Sequence, residues 1–115
     1  PLQATDETLA RLENIEDIHR RIFAAMLVQM DDGIGQVLAA LDKAGVAQDT
    51  LVFFISDNGG PTRELTSSNA PLRGGKGDVY EGGIRVPFIV RWPGQLPQGA
   101  VYREPVISTD VFALP

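Results

Sequence analysis

Cysteine is absent from all 115 residues, and histidine occurs once. The first absence excludes disulfides and thiolate metal sites within this stretch, although it does not fix a compartment. Basic charge is scarce as well. Ten Lys and Arg stand against fifteen Asp and Glu, for a formal net charge of -5. The basic residues form no run, so a nucleic-acid partner has no electrostatic footprint here. No uninterrupted apolar stretch approaches the ~18 residues that would suggest a membrane span. The chain opens on Pro1 rather than Met, and Val111-Phe112-Ala113-Leu114-Pro115 closes it inside an apolar pattern. It is expected to be a piece of a longer polypeptide, which makes the missing targeting segment uninformative.

What is present is ordinary globular composition, 43% hydrophobic and 22% charged, enough for one domain at most. From about Asp17 to Ala44, Ile18, Ile22, Met26, Met30, Ile34, Val37, Leu38 and Leu41 recur at spacings of three and four. That period predicts a long helix with one apolar stripe. Gly33 and Gly35 inside it imply close packing against a neighbouring element, and Gly45 is placed to cap its end. Leu51 to Ile55 is an unbroken apolar run of strand length, which suggests burial on both faces as in a parallel sheet. Residues 59–83 hold seven glycines, two prolines and no periodic apolar segment, a loop of a length that is usually either functional or disordered. Val86 to Arg91 is a second strand, and Pro87 suggests that its start lies at the sheet edge or before regular pairing. Ser108-Thr109-Asp110 reads as the N-cap of a further helix. The order of helix, strand, loop, strand and helix start is α/β organisation.

The strand that ends at Ile55 is followed by Ser56-Asp57-Asn58-Gly59-Gly60. Asn-Gly is a strong turn signal, so the segment can be read as a turn. It can also be read as a ligand site, because ligands in open α/β sheets gather at the carboxyl ends of strands. The carboxylate of Asp57 and the amide oxygen of Asn58 suit a hard cation such as Ca²⁺ or Mg²⁺ and do not suit zinc. The stretch Leu72-Arg73-Gly74-Gly75-Lys76-Gly77 lacks the first glycine and the Ser or Thr of a nucleotide-binding loop. What it offers is Lys76 on flexible flanks, either a solvated lysine or a point charge for an oxyanion. Gly33-Ile34-Gly35 has no third glycine at dinucleotide-binding spacing. Asp31 and Asp32 point about 100° apart on a helix, and His19 lies at the helix start.

The segments "LVFFISDNGG", "NAPLRGGKGDVYEGGIRVPFIVRWPG" and "ISTDVF", with the helical stretch before them, resemble the formylglycine-dependent type I sulfatases, and among these the arylsulfatase B-like subgroup. The resemblance covers nearly the whole chain. It implies an alkaline phosphatase-like mixed, mostly parallel sheet flanked by helices, with residues 1–115 a fragment of a single sulfatase catalytic domain. It assigns Asp57 and Asn58 as ligands of a divalent cation, usually Ca²⁺. It assigns Lys76, 18 residues beyond Asn58, as the sulfate contact. Glu81 to Arg85, and Arg73, are implied to support the loop. The family nucleophile is a formylglycine made within Cys/Ser-x-Pro-x-Arg, and Pro71-Leu72-Arg73 is preceded at that position by Asn69. The nucleophile is therefore expected upstream, and the fragment alone is expected to be inactive. The implied substrate is a sulfated small molecule or glycan, and the implied location periplasmic, secreted or lysosomal. Two alternatives stay open: a phosphate or phosphonate ester hydrolase of the same superfamily, and a non-catalytic fragment that self-associates as a homo-oligomer.

Overall fold

A computed structural model describes residues 2–62 and 66–112. A short helix, α1 (Asp6–Ala10), precedes a long one, α2 (Ile18–Lys43). Strand β1 (Val52–Ile55) follows, then the glycine-rich segment, a single-turn helix α3 (Glu81–Ile84) and strand β2 (Phe88–Arg91). Two 3-10 turns, Ala47–Asp49 and Ser108–Phe112, complete the described elements.

The helix predicted over Asp17 to Ala44 is present with the expected ends. Asp17 caps α2 by accepting the backbone N–H of Arg20 at 2.7 Å, which satisfies one of the donors that a helix start leaves unpaired. Gly45 follows the last turn at φ +72°, a backbone region that costs a β-carbon-bearing residue about 1–2 kcal/mol. Thr5 caps α1 in the same manner, and its hydroxyl also accepts from the Gln29 side chain of α2 at 3.1 Å. Thr8 and Ala25 are buried. Arg11 on the far side reaches Asp32 at 3.1 Å, so one of the two adjacent acids on α2 is engaged in an exposed ion pair.

The sheet differs from the expected one. β1 and β2 pair antiparallel, Val52 with Arg91 and Ile55 with Phe88, and they are the two strands of the described sheet. An apolar run signals burial but carries no information about the direction of its neighbour, so the mostly parallel arrangement does not follow from Leu51 to Ile55. The strand residues are also half-buried or exposed rather than enclosed. Phe53 and Phe88 meet edge to face, with ring centroids 6.2 Å apart. Pro87 stands just before β2, and its carbonyl accepts the N–H of Ser56 at 3.2 Å. Having no N–H, proline cannot continue the ladder beyond that bond.

Two further expectations change. A Cβ built on Gly33 or Gly35 would meet nothing within 4 Å among the described residues, so no described element packs closely there. Instead Gly33, Met30, Val37, Leu38, Val52 and Phe53 help to line an apolar hollow of about 520 Å³ between α2 and β1. At the start of the 3-10 turn Ser108–Phe112 the capping residue is Asp110, which accepts the N–H of Ile107 at 2.8 Å. Any continuation into 113–115 lies outside the described residues.

Among the described residues no large side chain is fully buried, while Met30 and Val37 on α2 are 49% and 61% exposed. By length and composition α2 is long and apolar enough to cross a membrane, although its apolar residues form no unbroken run. Asp31 and Asp32 sit at its midpoint, where each charge would cost about 2.5–3.5 kcal/mol in a bilayer.

Candidate functional site

The site begins where the sheet stops. After Ile55 the Ser56 hydroxyl donates to the Asn58 carbonyl at 2.8 Å, a local bond that turns the chain off the strand direction. The Asn58 side-chain nitrogen donates to the Gly59 carbonyl at 2.9 Å. Its Oδ1 has no hydrogen-bond partner among the described residues. Asp57 is exposed, and among the described residues its carboxylate has no hydrogen-bond or ion-pair partner. Both expected ligands thus lie side by side with oxygens uncommitted. This set is hard, anionic and free of nitrogen or sulfur, and it fits Ca²⁺ or Mg²⁺. It is also small: no group of three or more His, Cys, Asp or Glu that could hold a metal occurs among the described residues.

The glycine-rich segment then folds back on this strand end through its main chain. Gly59 donates to the Gly83 carbonyl at 2.9 Å, and Lys76 donates its backbone N–H to the Gly60 carbonyl at 3.1 Å. Gly82 donates to the Arg73 carbonyl at 2.7 Å. These approaches leave no room for side chains. A Cβ on Gly59 would run into the carbonyl of Gly82, one on Gly82 into that of Gly74, and one on Gly83 into that of Asp78. A Cβ on Gly75 would stand 2.5 Å from the Gly60 carbonyl oxygen. Gly59, Gly75, Gly82 and Gly83 are all buried. In this segment glycine is required by close backbone approach rather than by flexibility.

Side chains complete the return. Asp78 accepts the N–H of Gly75 at 3.0 Å, and the Arg73 guanidinium lies over the Tyr80 ring, 3.8 Å from its centroid, a stacking geometry that favours arginine. Arg20, in the first turn of α2, donates to the Thr66 carbonyl at 3.3 Å, so the long helix also touches the loop. Glu81 and Arg85 pair across one turn of α3 at 3.1 Å. Lys76 is exposed, and its ammonium has no partner among the described residues.

One residue with a definite structural role was missed by sequence reasoning. Asn69 accepts the Gly60 N–H at 2.9 Å and donates to the carbonyls of Gly60 and Gly74, each at 3.0 Å. It was noted only as the residue that stands where a nucleophile motif would place Cys or Ser. An asparagine beside serines in a loop looks like turn chemistry, and nothing in its spacing announces three long-range bonds. Thr66 and Ser67 nearby each hold a buried hydroxyl oxygen without a partner among the described residues. His19 is exposed at the start of α2, away from this loop in the chain.

Comparison with known proteins agrees with this arrangement. A sequence model of the sulfatase family, described as "Sulfatase", matches residues 4–113. The chain is 50% identical to the steryl-sulfatase of Mus musculus over 91 residues, which is 73% of this chain and 15% of that protein. It is 41% identical to arylsulfatase J of Mus musculus over 113 residues, 97% of this chain and 19% of that protein. A solved structure, "Crystal structure of Ps i-CgsB", superposes with a TM-score of 0.81 at 42% identity, over 86% of this chain and 22% of that one. The chain therefore spans less than a fifth of the length of these curated relatives. They include steryl-sulfatases and arylsulfatases alike and single out no one subgroup, such as the arylsulfatase B-like enzymes. With the glycine loop folded over the end of β1, an α/β framework of the kind seen in that solved structure, and a family match across nearly every residue, the chain belongs to the sulfatase family.

Proposed function

We propose that these residues form the cation- and sulfate-contacting part of a sulfatase catalytic domain, and that the polypeptide containing them hydrolyses a sulfate monoester. The observation that carries the reading is the hydrogen bond from the Lys76 N–H to the Gly60 carbonyl. It brings the backbone of Lys76, whose ammonium has no partner among the described residues, to Gly60, two positions beyond Asn58. A positive ligand-binding pair of this kind, one cation held by oxygens and one lysine, is what an anionic ester requires.

In this reading Asp57 and the Oδ1 of Asn58 hold Ca²⁺ or Mg²⁺, which supplies fixed positive charge to the sulfate oxygens when bound. Lys76 contributes a second positive charge on a compact head that can approach one oxygen. The buried glycine backbone holds both in place before substrate arrives, and donors that need no reorganisation are the most effective. The nucleophile, a formylglycine by family resemblance, is expected outside these residues, as are the other cation ligands, since Ca²⁺ takes six to eight oxygens. The 115 residues alone are then catalytically silent. By the same resemblance the substrate is a sulfated small molecule or glycan, and the location periplasmic, secreted or lysosomal. The arylsulfatase B-like subgroup, suggested by "PLRGGKG" and "YEGGIR", would add a sulfated N-acetylgalactosamine as substrate.

The test is a substrate pair on the full-length polypeptide. Turnover of 4-nitrophenyl sulfate, lost on treatment with a calcium chelator and regained on adding Ca²⁺, is expected. Turnover of 4-nitrophenyl phosphate in preference to the sulfate would replace this reading with that of a phosphate ester hydrolase.

A further inference from the structure

We propose that Asn69 is a positioning residue that holds Lys76 over the end of β1. The inference rests on the reading of Lys76 given above and extends it to a residue that does not contact substrate.

The argument starts from the bonds that tie each half of the site. The strand half is held independently of Asn69: the Ser56 hydroxyl bonds the Asn58 carbonyl at 2.8 Å, and the Gly59 N–H bonds Gly83 at 2.9 Å. Among the described residues, two links that meet at Gly60 tie the lysine half directly to the strand half, beside the indirect route from Gly59 through Gly83 and Gly82 to Arg73. One is the Lys76 N–H on the Gly60 carbonyl at 3.1 Å. The other is Asn69, whose amide nitrogen donates both to that same carbonyl and to the carbonyl of Gly74, two residues before Lys76. Its Oδ1 accepts the Gly60 N–H. One primary amide therefore occupies both polar groups of Gly60 and fixes the distance from Gly60 to Gly74.

Geometry around the amide favours this residue over near equivalents. A Cβ on Gly60 would lie 3.1 Å from the Asn69 Oδ1, and one on Gly75 would lie 3.0 Å from its Nδ2. The two glycines thus make the slot that the amide fills. Aspartate has the same shape but presents only acceptors. It would keep the Gly60 N–H bond and set a carboxylate oxygen against two carbonyls. Alanine keeps none of the three bonds. With the tether lost, Lys76 gains freedom while Asp57 and Asn58 keep theirs restrained, so the effect falls on the lysine and spares the cation.

The experiment is a double-mutant cycle in the full-length polypeptide, with 4-nitrophenyl sulfate turnover and Ca²⁺ half-saturation as readouts. Asn69→Ala is expected to lower kcat/KM roughly 10–100-fold, the range for residues that orient a site from behind, with Ca²⁺ half-saturation unchanged within about twofold. In a Lys76→Ala background the same substitution is expected to change kcat/KM by less than about twofold, because the group it positions is gone. Asn69→Asp, which keeps shape and one bond, is expected to follow Asn69→Ala and serves if the alanine variant does not fold. An equal loss in both backgrounds, a wild-type rate for Asn69→Ala, or a parallel loss of Ca²⁺ affinity overturns the proposal while leaving Lys76 as the sulfate contact. A wild-type rate for Lys76→Ala alone overturns that underlying reading first, and is seen before Asn69 is altered.

Discussion

Gly60 offers its carbonyl to Lys76 across sixteen residues of chain, at 3.1 Å from the Lys76 nitrogen. That bond converts a distant lysine into a neighbour of the strand end. Its side chain is exposed and takes no protein partner among the described residues. Lys76→Ala in the full-length polypeptide is expected to cost about 10²–10³ in turnover, the scale for a single preorganised electrostatic donor. Ca²⁺ affinity should stay unchanged. A steady-state rate equal to wild type would remove Lys76 from the site.

Asp57 and Asn58 differ in what they lend a cation. Only Asp57 brings charge, and Asp57→Asn keeps its shape. Calcium affinity should fall and turnover with it at limiting Ca²⁺, with little change in melting temperature, because the exposed carboxylate supports no bond of the fold. Titration by calorimetry together with a melt separates the two effects. A retained affinity would show that Asp57 is no ligand.

The crossing of Gly59 and Gly83 predicts a stability effect of another kind. A methyl group at Gly83 would strike the backbone of Asp78 and Gly75, and these are main-chain atoms that cannot rotate away. Gly83→Ala should cost about 1–3 kcal/mol through overpacking. It should also raise the rate of proteolysis within residues 60–80. Gly77→Ala is the informative contrast. A Cβ built there would meet no described atom within 4 Å beyond its chain neighbours, yet its φ is +86°, so its cost comes from backbone strain. Equal proteolysis of Gly83→Ala and wild type would contradict the crowding.

The isolated 115 residues are expected to self-associate. Met30, Val37 and Leu38 face the hollow beside β1, and the described residues that are buried are small. Exposed apolar surface of this extent drives association. Sedimentation velocity at low concentration should show species larger than a monomer, and Val37→Glu should shift them towards monomer. A compact monomer with cooperative unfolding would mean that the chain buries a sufficient core by itself.

The parts of this molecule that were legible beforehand are those in which side-chain identity repeats with a period. The stripe from Ile18 to Leu41 announces α2 because burial of one helix face forces that spacing, and Gly45 announces its end because few other residues accept φ +72°. Leu51 to Ile55 announced a strand but not its partner: pairing direction depends on which segment returns beside it, and Pro87 limits only where that return begins. Gly33 and Gly35 suggested a close neighbour because a missing side chain often makes room for one, yet here they border open space. For the site, Asp57, Asn58 and Lys76 stood out as charged or polar groups among glycines. Asn69 did not, because its role lies in three backbone groups of Gly60 and Gly74, nine and five residues away, and backbone groups leave no mark on a sequence.

The glycine crossing has a consequence for how such a site can change over time. Its contour is drawn by peptide groups meeting peptide groups, while Asp57, Lys76 and Val79 hang outward and bear none of the weight of the fold. Substitutions at these outward positions can therefore be sampled one at a time without first repairing the scaffold. Substitutions at Gly59, Gly75, Gly82 or Gly83 cannot. A lineage carrying this loop is free to change the groups that hang from it while being bound to keep the contour that carries them.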